Sequence, residues 1–208
     1  MSWWDYGYFI MQIAHRIPNA NPGQAGAVQA GQFFTAQNES SANMLANELG
    51  LKYVVIDYAM VTGKFYAMAE WAGGNVSEFY EVYYVPTEQQ WTYLYYPAYY
   101  NSTVVRLYNF DGKAVTPTES MVISYEEKEY EGEKYKEITS GQSFSSYEDA
   151  QAYVASQTSG NYRIVGVDSF SSPVPLEELN SYELVYQSEA TITTATVKIF
   201  KYLGPEES

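Results

Sequence analysis

The sequence contains no cysteine. That excludes disulfides, thiolate zinc sites and cysteine nucleophiles, while leaving the compartment open, since extracytoplasmic proteins need not use disulfides. Histidine is nearly absent too. His15 is the one imidazole, and it stands beside Arg16 at a predicted helix end, where a terminal or surface role outweighs catalysis. Positive charge is scarce: 11 Lys and Arg face 25 Asp and Glu, for a formal net charge of −14. A surface this acidic repels phosphate backbones and anionic lipid heads, so nucleic acid is excluded as a partner. No apolar run reaches the ~18 residues of a membrane span, and no signal peptide is visible. The carboxylates are dispersed and form no cluster resembling a metal site.

What is present is enough to fold. The 208 residues are 46% apolar and 17% charged, which suits one domain, or one domain with an insertion, around a sizeable core. Tyrosine is abundant, with 23 residues; it fits strands, half-buried surfaces and sugar-stacking platforms. Apolar residues Phe9, Ile10, Ile13, Ala14 and Ile17 predict a helix over 8–17 that Pro18 stops. Residues 18–37, rich in Pro, Gly, Asn, Gln and Ala, read as a loop. Ser40 or Ser41 opens a helix to about Glu48, with Met44, Leu45 and Leu49 as its buried side and Gly50 as its stop.

Lys52 to Ile56 reads as a buried strand that Asp57 ends. Residues 57–70 read as a helix with a distortion at Thr62-Gly63, and 98–109 as another ending at Asp111-Gly112. The tyrosine-dense stretch 78–100 carries no clear period. Residues 113–145 read as a charged β-hairpin and Ser145 to Glu148 as a capping box opening a helix to about Gln157. Strands follow at 162–167, 182–187 and 196–202. The expected fold is mixed α/β (α+β). A helix-rich core with a small sheet takes residues 1–112 and 146–208, and residues 113–145 form a β-rich insertion.

Two short strings carry chemistry. The first is Trp3-Trp4-Asp5-Tyr6-Gly7. Two large indoles sit poorly at a fraying chain end, so the expectation is that this string is internal to a longer protein. Asp5 can accept hydrogen bonds and indole N–H groups can only donate. Gathered in a water-poor pocket, they suit a hydroxyl, which both donates and accepts. The plainer alternative makes Trp3 and Trp4 core anchors and Asp5 an N-cap. The second string runs from Asp57 to Lys64, where the i, i+3, i+7 spacing puts Asp57, Met60 and Lys64 on one helical face.

The first string resembles the Trp-Trp-Asp-Tyr-Gly signature of the oligosaccharyltransferase catalytic subunit. Asp57, Met60 and Lys64 resemble the archaeal form of that family's second, Asp–Lys type motif. Further family-like blocks follow in order at Val54–Asp57, Arg106–Gly112, Ser172–Leu176 and Val197–Phe200, so the resemblance spans nearly the whole chain. It implies the C-terminal domain of a membrane glycosyltransferase, lying on the extracytoplasmic face. The whole enzyme would move a lipid-linked oligosaccharide onto the asparagine of Asn-x-Ser/Thr. The pocket for the serine or threonine would comprise Trp3, Trp4, Asp5, Tyr6, Gly7, Asp57, Met60 and Lys64. The resemblance assigns the catalytic carboxylates, the divalent metal (Mn or Mg) and the lipid site to a membrane region outside this sequence, so this chain is expected to hold no catalytic or metal-binding residue and to be inactive alone. Two other readings stand: a carbohydrate-binding module with tyrosine platforms, and an acidic interaction domain of a cell envelope. Asn38, Asn75 and Asn101 themselves head Asn-x-Ser/Thr triplets.

Overall fold

The computed structural model of the chain describes residues 1–191 and 196–204. A 3-10 turn, Trp4–Tyr6, leads into α1 (Gly7–Gln12). After a loop come α2 (Ala27–Thr35), α3 (Glu39–Glu48), β1 (Tyr53–Asp57), α4 (Tyr58–Val61) and α5 (Phe65–Trp71). Strands β2 (Tyr80–Val85) and β3 (Gln90–Tyr95) precede α6 (Pro97–Asn101) and α7 (Thr103–Phe110). The chain closes with β4 (Ser120–Tyr130), β5 (Glu133–Phe144), α8 (Tyr147–Ser156), β6 (Asn161–Val165), β7 (Tyr182–Gln187) and β8 (Val197–Tyr202). The architecture is the expected mixed α/β one. It divides into two compact units, Met1–Val76 with Asn101–Lys113 and Glu178–Ser208, and Ser77–Tyr100 with Ala114–Glu177.

The first unit holds both signature strings. Its antiparallel sheet has the order β1-β8-β7, and Val54, Ile56 and Phe200 point into the core. The stretch expected to be a loop contains α2, which buries Ala27, Ala30, Phe33 and Phe34. Its composition is a weak helix signal; packing supplies the stability that propensity does not. Gly31 makes that packing close, because a Cβ there would come within 2.7 Å of the Met68 carbonyl oxygen on α5.

Helix α1 stops at Gln12, short of the expected Pro18. Phe9, Ile13 and Ile17, which the period put on one face, are 64%, 75% and 97% exposed. Helix α3 begins at Glu39, ahead of the expected cap at Ser40 or Ser41, and is capped by Asn38, whose side-chain oxygen accepts the Ser41 N–H at 2.9 Å. Its buried side is Ala42 and Ala46, with Met44 turned outward.

The second unit is built on a five-stranded sheet of order β3-β2-β5-β4-β6, in which only β2 and β5 run parallel. The hairpin expected within 113–145 is β4 and β5. Its sheet also takes in β2, β3 and β6, so the β-rich unit reaches well beyond that stretch. One face packs Tyr83, Leu94, Ile123 and Val165 into a core with Tyr96. On the other, α8 lays Ala150 against Val122 and Ile164. Ser146 caps α8 through its hydroxyl, which accepts the Asp149 N–H at 3.1 Å.

Candidate functional site

The first string runs beside β1. The Val55 N–H donates to the Met1 carbonyl at 2.8 Å, so the two signatures are tied by backbone before any side chain meets. Trp3 is 2% exposed and anchors the core, as the plainer reading held for it, whereas Trp4, Asp5 and Tyr6 are half-buried. Asp5 lies inside the 3-10 turn, and the residue at the N-cap of α1 is Tyr6. The N-cap role considered for Asp5 is therefore absent, and its carboxylate faces the second signature.

A continuous polar chain joins the two strings. Lys64 Nζ donates to Asp5 Oδ2 at 2.5 Å and to the Tyr6 hydroxyl oxygen at 2.6 Å. The Tyr6 hydroxyl donates to Asp57 Oδ2 at 2.5 Å, and Asp57 Oδ1 accepts the Met60 N–H at 3.1 Å. Burial first, then the Asp57 hydrogen bond and the charges of Asp57 and Asp5, raise the Tyr6 pKa. The phenol is therefore a donor at neutral pH. Asp57 ends β1 and caps α4, a strand-to-helix junction that fixes its carboxylate.

The one helical face expected for Asp57, Met60 and Lys64 does not form. Helix α4 is four residues long, and Thr62 breaks it with φ −120° and ψ −101°. The Lys64 N–H then reaches back to the Ala59 carbonyl at 2.8 Å, an i to i−5 bond, before α5 begins. This break, at the distortion expected for Thr62-Gly63, returns the Lys64 side chain to Asp5. Met60 is wholly buried.

Gly7 has ordinary helical angles, φ −55° and ψ −38°. What it supplies is space, because a Cβ there would lie 2.7 Å from both the Ala20 carbonyl oxygen and the Asn21 Cα. Tyr6 was legible only as a letter of the signature. No sequence signal identified its hydroxyl as the link between Lys64 and Asp57.

Two polar atoms at this site are buried and have no hydrogen-bond partner among the described residues: Trp4 Nε1, a donor, and Asp5 Oδ1, an acceptor. Buried polar groups are rarely left so, and a donor and an acceptor on adjacent residues match the two capacities of a hydroxyl. The site does not suit a divalent metal. Asp5 and Asp57 are engaged by Lys64 and Tyr6, and no group of three or more His, Asp or Glu among the described residues is arranged to hold an ion. Among the described residues no helix is long and apolar enough to cross a membrane.

Comparison with known proteins bears on the same residues. A family model described as the AglB core domain, AglB core-like, matches residues 1–61, which include the first signature and Asp57 and Met60 of the second. Dolichyl-phosphooligosaccharide-protein glycotransferase 3 of Archaeoglobus fulgidus is 41% identical over 144 residues, covering 56% of this chain and 17% of that protein. Dolichyl-monophosphooligosaccharide--protein glycotransferase AglB of Haloferax volcanii is 31% identical over 216 residues, covering 92% of this chain and 20% of that protein. The chain thus spans about a fifth of the length of the curated relatives it matches. In fold it is similar to the apo crystal structure of the Archaeoglobus fulgidus oligosaccharyltransferase, with a TM-score of 0.51 at 24% identity, over 96% of this chain and 26% of that one. Sequence relatives and fold agree: residues 1–61 form an AglB core-like domain, and the chain is homologous to archaeal AglB oligosaccharyltransferases.

Proposed function

We propose that this chain is the acceptor-recognition domain of a longer membrane enzyme that transfers a lipid-linked oligosaccharide to the asparagine of Asn-x-Ser/Thr. The observation that carries the reading is the pair of buried, unpartnered atoms at Trp4 Nε1 and Asp5 Oδ1. A serine or threonine hydroxyl would satisfy both at once, accepting from the indole and donating to the carboxylate. Lys64 keeps Asp5 charge-balanced and oriented, and Tyr6 and Asp57 hold Lys64 in turn. Trp3 anchors the turn from below. Met60 supplies a thioether for the methyl group of threonine, and Gly7 lets the turn pack closely.

The chain would bind and position this part of the acceptor, and would do no bond-making. The metal, the lipid-linked donor and the reacting carboxylates are assigned to the remainder of the longer protein. The exposed apolar residues of α1 suit contact with that remainder, and the domain would sit on the extracytoplasmic side of the membrane.

Affinity for a free peptide should be low, so the test tethers the ligand. An Asn-x-Thr peptide and an Asn-x-Ala control are disulfide-linked to a cysteine introduced beside the site, and occupancy is followed by exchange with free peptide. The threonine peptide should be favoured by about tenfold or more, because a pocket built for a hydroxyl leaves polar groups unpaired without it. Asp5→Ala should erase the preference. Equal retention of both peptides by the unaltered chain would refute the proposal.

A further inference from the structure

The outer face of the five-stranded sheet is unusual. Solvent-facing sheet surfaces are normally polar, yet strand pairing puts Val82 and Tyr84 of β2 opposite Tyr93 and Trp91 of β3, with Tyr135 of β5 and Tyr130 of β4 on the same side. Helix α8 covers one end of this face at Val122 and Ile164, Tyr99 of α6 packs on Tyr80 and Tyr95 at another, and the stretch around Trp91 stays open. Trp91 is 57% exposed and Tyr130 69%. The Tyr84, Trp91 and Tyr135 rings form a triangle with centroids 5.2, 5.6 and 6.3 Å apart. They floor an open recess of about 580 Å³, with Glu133 and Lys134 at its rim.

We infer that this face binds a neutral glycan. Apart from Val82 the patch is aromatic, with no Leu, Ile or Met among the residues that line the recess. Flat rings match the C–H faces of a pyranose, while phenol hydroxyls and the rim charges match its hydroxyl groups. Charge decides among occupants. Glu126, Glu133 and Glu137 share this face with Lys128, which pairs with Glu137, so two carboxylates are left without a lysine of the face, on a chain of net charge −14. A second copy would bring like charge against like, and an anionic lipid surface would be repelled. A neutral hexose chain meets neither penalty. The site lies wholly within the second unit and is independent of the pocket proposed around Asp5.

The test titrates the whole chain with mannopentaose, maltopentaose and cellopentaose, following the Trp91 indole N–H resonance. Saturable binding to at least one is expected. Trp91→Ala and Tyr130→Ala should each weaken it by about tenfold, Trp91→Phe should weaken it less, and the unfolding midpoint should not move, since both side chains are largely exposed. Preference for the Asn-x-Thr peptide should be untouched in these variants, which separates this inference from the acceptor-pocket reading. Failure of all three sugars to bind, or binding indifferent to Trp91→Ala, would overturn the glycan assignment. So would a concentration-dependent dimer that Trp91→Ala disperses, which would give the face to a second copy of the chain.

Discussion

At the scale of single residues, the site separates groups that hold the fold from groups proposed to meet the acceptor hydroxyl. The Asp5–Lys64 pair is about one-third exposed on each side, so water screens it and its stabilising contribution is small. Lys64→Met should therefore lower unfolding free energy by no more than about 1 kcal/mol while removing the preference for an Asn-x-Thr peptide; a large loss of stability would show the pair to be structural. Asp57 works for the fold, since it caps α4 and accepts from Tyr6. Asp57→Ala should cost about 2 kcal/mol in urea unfolding, the sum of a cap and a hydrogen bond. Asp57→Asn should cost less, because asparagine caps as well as aspartate. Equal losses for the two variants would remove the cap from the account.

At the scale of elements, Gly7 constrains how the first string packs. Its missing Cβ makes room for backbone atoms of Ala20 and Asn21, and backbone cannot swing aside as a side-chain tip can. Gly7→Ala should destabilise by about 1–3 kcal/mol, and thermal unfolding would show it; an unchanged midpoint would mean the loop yields freely. Elements whose residues carry their own signal were legible in the sequence. The hairpin at Glu131-Gly132, the strand ending at Asp57 and the distortion at Thr62-Gly63 all form, and α8 is capped one residue after Ser145, at Ser146. Helix α2 was not legible, because its Ala, Gln and Gly content is ordinary loop composition and packing against α5, α3 and α7 holds it. The α1 face was misleading for the opposite reason. Its period is real, but the helix ends at Gln12 and leaves Phe9, Ile13 and Ile17 exposed. For the site, side-chain types gave the members, but the link through the Tyr6 hydroxyl depends on a kink in one segment and a strand end in another, which no spacing rule contains.

At the scale of the whole molecule, acidity and tyrosine dominate. Tyr83, Tyr99 and Tyr100 are fully buried, and burial pushes all three phenols up, Tyr83 to about 12 and the other two further. Each is neutral in the folded chain, and in the unfolded chain ionises near the usual ~10. Their contribution is thus complete below about pH 10 and is lost as pH rises from there through the folded values, at up to about 1.4 kcal/mol per pH unit for each group. Urea midpoints should be flat from about pH 7 to 9 and fall steeply above about pH 10. Ultraviolet absorbance should show the buried phenols ionising only as the chain unfolds. Ionisation of all 23 tyrosines in one phase while the fold persists would contradict this.

The Met1–Val55 hydrogen bond sets a ruler across the chain. From that single rung, Asp5 lies four residues along one arm and Asp57 two residues along the other. One residue inserted or deleted between Val55 and Asp57 would slide the Asp57 carboxylate by a strand step of about 3.3 Å, more than the length of a hydrogen bond, and one between Met1 and Asp5 would displace the 3-10 turn that carries Asp5. The spacing of these few residues is thus part of the instrument itself.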